Sequence, residues 1–202
     1  MKQLAVLCCA ALLLPGLGLA QNVGIGTTAP AERLDVNGNI QIPSTNEYKY
    51  DGAKTGYVSV PPAAFGFAPL SATAAFLSGG TTGAFRYVLG GTTGNAAFLL
   101  APIYLPDGAR ITRYVLYVYD NDATYDVYGN IYRINLATNT INNLSSTNVT
   151  SGTPLTTTVS ADLSSVVDNA VYAYYVRFVT SENSSNLRLH GARVTYTVTK
   201  VD

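Results

Sequence analysis

Tryptophan is absent from the chain, histidine occurs once, at His190, and glutamate only at Glu32, Glu47 and Glu182. Each shortage excludes something. One imidazole, with no cysteine beyond Cys9, leaves too few ligands for zinc and no Cys–His nucleophile. A Ser–His–Asp triad would have to use His190, and no signature surrounds it. A glycosidase needs two carboxyl groups flanking one bond. Glu32 and Glu47 fall in the N-terminal segments instead, and Glu182 in the turn "TSENSSN". The reading is of a protein that is not an enzyme, with no catalytic residue and no cofactor assigned.

Both cysteines, Cys8 and Cys9, lie in the stretch "MKQLAVLCCAALLLPGLGLA", Met1 to Ala20. Lys2 precedes an apolar run from Leu4 to Leu14, Pro15 and Gly16 break it, and Gly18 and Ala20 supply small residues at −3 and −1. This pattern predicts a secretory signal peptide cut after Ala20. Leu7 before Cys8 argues against lipidation there. Without the leader the chain holds neither disulfide nor thiol, and eleven basic residues face twelve acidic ones. That balance leaves no basic footprint for nucleic acid, and no later apolar run reaches the length of a membrane helix. The expected location is secreted, extracellular or at the cell surface, without membrane insertion.

What is plentiful is equally one-sided. Fifteen tyrosines accompany abundant Thr, Val, Ala, Gly and Asn, while Lys and Glu, common on exposed helices, are scarce. β-Branched and aromatic residues suit a pleated surface. The class is all-β.

Residues 21–42 form a short patterned segment. Val23 and Ile25 alternate with Gly24 and Gly26, Leu34 and Val36 flank Asp35, and Ile40 and Ile42 flank Gln41. Thr28, Pro30 and Glu32 predict one helical turn, and Asn37-Gly38 predicts a hairpin between the later apolar pairs. So short a unit cannot bury enough surface to offset its ordering entropy. Its apolar face must pack on the rest of the chain or on identical neighbours. Glycines on a short strand, suited to backbones converging on a symmetry axis, favour the neighbours.

The stretch "VGIGTTAPAERLDVNGNI" resembles the V-G-I-G-T-T-x-P-x-x-x-L-x-V-x-G-N-I element of secreted and phage-related bacterial proteins. The resemblance implies a trimeric, tail-fibre-like stalk. In that family the element often recurs in tandem; here it occurs once, which implies a short collar. Val23, Ile25, Leu34, Val36 and Ile40 are then the expected collar interface.

Residues 43–71 read as a neck, with Pro43, Pro61, Pro62 and Pro69, turn signals at Asp51-Gly52 and Thr55-Gly56, and short edge strands in "YKY" and "YVSV". The portion "YKYDGAKTGYVSVPPAAF" also resembles a segment of secreted bacterial proteins of unassigned function. From 72 to 202 strands follow at regular spacing, including a near-repeat, "GGTTGAF" at 79–85 and "GGTTGNAAF" at 90–98. Pro106-Asp107-Gly108 is a β-turn signal. The strand "ARITRYVLYVYDND" is apolar on both faces, so Val115, Tyr117 and Tyr119 are expected against a second surface, a neighbouring head. Leu187 and Leu189 have opposite parity to Val194, Tyr196 and Val198, which requires a bulge; "HGA" at 190–192 is its place. Eight or nine strands in this length predict an antiparallel, jelly-roll-like β-sandwich head.

Asp120, Asp122 and Asp126 in "YDNDATYD" are the one candidate set for a metal, calcium by the hardness of their oxygens. The stretch lacks the central glycine and closing glutamate of a dedicated loop, and Asp and Asn are also the ordinary residues of a hairpin connection. The expectation is a secreted structural or adhesive homotrimer whose partners are its own copies and a surface glycan or cell-envelope component. The alternative is a carbohydrate-binding, lectin-like module.

Overall fold

The structure, a computed structural model, describes residues 22–68, 75–79, 85–89, 97–149, 155–180, 182 and 184–201. The leader expected over Met1–Ala20 lies outside the described residues, as do most residues of the two glycine-rich repeats. Two units result, Met1–Glu47 and Tyr48–Asp202.

In the first unit β1 (Val23–Ile25) pairs with β2 (Leu34–Val36) in parallel, Val23 opposite Leu34 and Ile25 opposite Val36. The expected hairpin about Asn37-Gly38 does not form. Asn37 is committed to the parallel ladder instead: its backbone N–H donates to Ile25 O at 2.8 Å, and its Nδ2 to Gly26 O at 3.3 Å. The expected helical turn is a series of bends. Parallel strands usually need a long crossover, and here side chains stitch a short one. Asn22 Nδ2 donates to Pro30 O, and the Asp35 carboxylate accepts from the Ala31 N–H. The glycines have local reasons too. A Cβ on Gly24 would stand 2.5 Å from Thr27 O, and Gly26 has a φ of 74°.

The second unit is an antiparallel β-sandwich. Beyond β3 (Lys49–Val60) and a 3-10 turn at Pro62–Ala64 come β4 (Gly66–Ala68), β5 (Ala75–Gly79), β6 (Phe85–Leu89), β7 (Ala97–Ile103) and β8 (Arg110–Asp120). Then follow β9 (Val127–Asn135), β10 (Ile141–Val149), β11 (Leu155–Val166), β12 (Tyr172–Thr180) and β13 (Leu187–Lys200). One sheet has the order β10-β9-β12-β7-β4, the other β11-β8-β13-β6-β5, with β3 also on β13. From β7 onward the chain passes repeatedly between sheets, giving a jelly-roll-like weave.

The segment expected to hold two short edge strands is one continuous strand, β3. Its Thr55-Gly56 turn signal is overridden because these residues are paired with Thr197 and Tyr196 of β13, while Asp51-Gly52 falls where the ladder shifts between Lys49 and Lys54. The Tyr196 ring lies where a Gly56 side chain would be, covering the glycine.

Alternation then builds the core. On β12, Tyr174, Val176 and Phe178 face inward; on β13, Leu187, Leu189 and Val194 do so from the other sheet. Ile111, Tyr114, Leu116 and Val118 supply β8. Burying one such aliphatic or aromatic side chain contributes about 1.5–3 kcal/mol. The bulge expected at "HGA" is present: the ladder with β8 shifts between Leu189 and Gly191, and Gly191 takes a φ of 139°. A second shift between Thr195 and Tyr196 lets Ile111 and Tyr114 share the core face despite their opposite parity.

Candidate binding surfaces

The outer face of the five-stranded sheet carries an ordered polar and aromatic array. Tyr175 on β12 pairs with Tyr132 on β9, and their rings stack at 5.3 Å with 20° between planes. Two residues on, Arg177 pairs with Asn130 and donates from Nε to Asn130 Oδ1 at 3.0 Å. Asn130 in turn donates from Nδ2 to Ser146 Oγ on β10 at 2.9 Å. The Arg177 guanidinium lies 4.9 Å from the Tyr132 ring centre and 5.6 Å from that of Phe98. Burial raises the Tyr175 phenol above its ordinary value; Tyr132 adds to this and Arg177 opposes it. The result is a rigid platform of ring faces, amide and hydroxyl groups, with a cation held by stacking.

The outer face of the other sheet contains the residues expected at a head interface. Val115 is buried yet stands outside the core cluster, opposite Arg193 in the ladder. Arg193 lies over Tyr117 and Tyr57, and Arg188 over Tyr119 and Phe85 at 4.8 and 4.6 Å. Two arginines of the same sheet thus supply part of the cover that was expected from a neighbouring chain. His190 sits between them beside Phe85, its basicity lowered by burial and then by Arg188.

Asp120 ends β8 on the core side and is fully buried. Its Oδ1 accepts the Asp122 N–H at 3.1 Å; Asp122 Oδ1 accepts the N–H groups of Thr124 and Tyr125; Asp126 accepts from Tyr128 Oη at 3.2 Å. The stretch is a capped connection between β8 and β9, one of its two expected readings. Among the described residues no three His, Cys, Asp or Glu side chains converge as a ready-made metal cluster.

In the first unit, Val23, Ile25, Leu34 and Ile40 are between 55% and 58% exposed, while Val36 is half-buried. At one end of the sandwich, Pro102, Tyr104, Leu136, Asn169 and Tyr172 line an open cleft of about 430 Å³. No described helix is long and apolar enough to cross a membrane.

Tyr175 and Arg177, two apart on one strand, share a face by alternation, but no local signal brings Asn130 and Tyr132 to them. The signal was a shared spacing: Asn130 and Tyr132 are two apart, as are Tyr175 and Arg177, so antiparallel pairing makes them a square.

No family model matches the chain, and no curated protein matches it in sequence. Among solved structures it is similar to the Clostridium thermocellum N-terminal endo-1,4-β-D-xylanase 10B complexed with xylohexaose. Identity there is 14% and the TM-score 0.44, over 71% of this chain and 27% of that one. It is also similar to a structure of infectious bursal disease virus, Gx strain, at 11% identity and a TM-score of 0.33, over 74% of this chain and 32% of that one. A third likeness is to naturally occurring empty particles of cowpea mosaic virus, at 12% identity and a TM-score of 0.29, over 74% and 84% of the two chains.

Proposed function

We propose that the protein is an exported, non-enzymatic structural or adhesive component that works as a homotrimer. The carrying observation is the first unit. On a two-stranded ribbon of six paired residues, three large apolar side chains, Val23, Ile25 and Leu34, are more than half exposed, as is Ile40 beyond it. A ribbon this small has no core of its own, and such a surface favours burial against like surfaces. Threefold association follows from the resemblance of the segment to trimeric stalks. Sedimentation velocity on the chain lacking residues 1–20, at low micromolar concentration, tests the reading. A single trimeric species is expected, and a stable monomer refutes it.

A second reading rests on the Tyr132–Tyr175 platform. Sugar rings present C–H faces to aromatic rings and hydroxyls to amides and guanidinium groups, and this sheet face offers both kinds of contact. On a glycan array the chain is then expected to bind a subset of glycans and to lose them with Tyr132→Ala. Binding unchanged by Tyr132→Ala and Arg177→Ala rejects this face as the site.

A further inference from the structure

The bulge in β13 has an effect outside the core. Arg188 and Arg193 have opposite parity, so an unbroken strand would send them to opposite faces. The ladder shift between Leu189 and Gly191 brings both to the outer face of their sheet, with Tyr119 opposite Arg188 and Val115 opposite Arg193. Each guanidinium then lies between rings of neighbouring strands. That of Arg188 is 4.8 Å from the Tyr119 ring centre and 4.6 Å from that of Phe85; that of Arg193 is 5.8 Å from Tyr117 and 5.5 Å from Tyr57.

This face lacks a counter-charge. Neither arginine forms an ion pair among the described residues, and Arg193 Nε has no hydrogen-bond partner. Asp162, which pairs with β8 at Arg113, is taken by that arginine at 3.4 Å. The residues between 69 and 183 that lie outside the described ones include no Asp or Glu, so they hold no hidden partner. Beside Arg193 the surface opens into a cleft of about 340 Å³, lined also by Pro61, Pro62, Tyr117 and His190.

The chemistry that fits is an anion carried on a sugar. Guanidinium groups match carboxylates with paired N–H bonds, and rings beside each cation suit the C–H face of a saccharide. Tyr119 and Val115, which mark the two arginines on β8, are four residues apart, about 13 Å at the rise of a strand. One small anion cannot touch both; a chain can. A polyphosphate backbone is less suited, because a chain with eleven basic residues against twelve acidic ones after Ala20 has no broad positive field to hold it.

We propose that the outer face around Arg188 and Arg193 binds a linear acidic polysaccharide, with carboxylates on the two guanidinium groups and sugar rings against Tyr57, Tyr117 and Tyr119. A ligand thus takes the surface that the sequence led one to expect against a neighbouring head. The site is separate from the Tyr132–Tyr175 platform and requires neither that platform nor the trimer.

The test uses the full chain and polygalacturonate, a linear polyuronate, with its methyl ester as the same chain without charge. Calorimetry should show binding to polygalacturonate that weakens as sodium chloride rises, and binding to the ester weaker by about tenfold or more. Arg188→Ala and Arg193→Ala should each weaken binding about tenfold, and the double variant should abolish it. Arg110→Ala, which removes a charge from the far end of β8, should change affinity by less than about twofold. Arg193 covers Val115; if Arg193→Ala does not fold, Tyr57→Ala, at a ring 61% exposed, decides, with a loss of about fivefold expected. No binding to polygalacturonate, equal binding of the ester, or full binding by the double variant overturns the proposal. Oligothymidylate bound as tightly, and lost with the same arginines, makes this a general polyanion face and overturns the sugar assignment. A double variant with changed sedimentation and intact polygalacturonate binding makes the face a contact between copies instead. Sedimentation of the intact chain tests the trimer separately, so either proposal can fail alone.

Discussion

The phenolic oxygen of Tyr114 lies 3.0 Å from where a Cβ on Gly129 would stand, with Leu116 Cδ2 at 2.9 Å from the same point. The core between β8 and β9 thus closes on a missing side chain. Gly129→Ala should overpack it and cost about 1–3 kcal/mol in urea unfolding. Tyr114→Phe should do the opposite. Its hydroxyl is buried without a partner and burial holds it far above the usual phenol range, so deleting it should leave stability unchanged or raise it by about 1 kcal/mol. Loss of stability in Tyr114→Phe would show that the hydroxyl has a partner.

Gly191 answers to two constraints at once. Its φ of 139° suits only glycine, and a Cβ there would stand 2.8 Å from Val60 O. Gly191→Ala should cost about 2 kcal/mol or more, read as a lower urea midpoint at unchanged m-value.

His190 makes stability depend on pH. Burial, and then Arg188, lower its basicity in the folded chain below the ordinary value of 6.5. As pH falls through that value the unfolded chain takes up a proton that the folded chain resists, so stability falls. It is fully present above pH 6.5, and the loss levels off once the folded imidazole also protonates. His190→Phe should flatten this limb in a Tm-versus-pH series between neutral and mildly acidic pH.

For the N-terminal unit, Ile25→Asp should weaken trimer association about 100-fold or more, because a buried unpaired carboxylate costs several kcal/mol. Deleting residues 22–42 should do the same while the melting curve of the sandwich stays in place. If the deleted chain associates as tightly as the intact one, the ribbon packs on its own sandwich and the trimer proposal loses its main support.

Much of the sandwich is legible before any coordinates. The parity conflict between Leu189 and Val194 locates the bulge, and Pro106-Asp107-Gly108 is the turn it promises, with the Ala109 N–H donating to Pro106 O. Alternation on β12 separates core from surface residue by residue. Local signals fail where distant partners overrule them. Thr55-Gly56 reads as a turn only until Tyr196 covers the glycine, and Asn37-Gly38 reads as a hairpin only until Ile25 O claims the Asn37 N–H. The candidate surfaces are less legible still. A square of Asn130, Tyr132, Tyr175 and Arg177 exists only once two strands remote in sequence have paired.

β13 pairs with β8 along one edge, and with β6 and then β3 along the other, so that Ala192 stands opposite Val60. This has a kinetic meaning. Three strands drawn from across the chain reach their places in one sheet only after β13 arrives, and each pairing closes a loop of many tens of residues. Contacts so distant in sequence make for slow, all-or-none assembly. Until β13 is available the facing edges of β3 and β8 stay open, and an open strand edge invites pairing with other chains. A nascent chain is therefore expected to remain unfolded, and in need of a holding chaperone, until β13 has emerged.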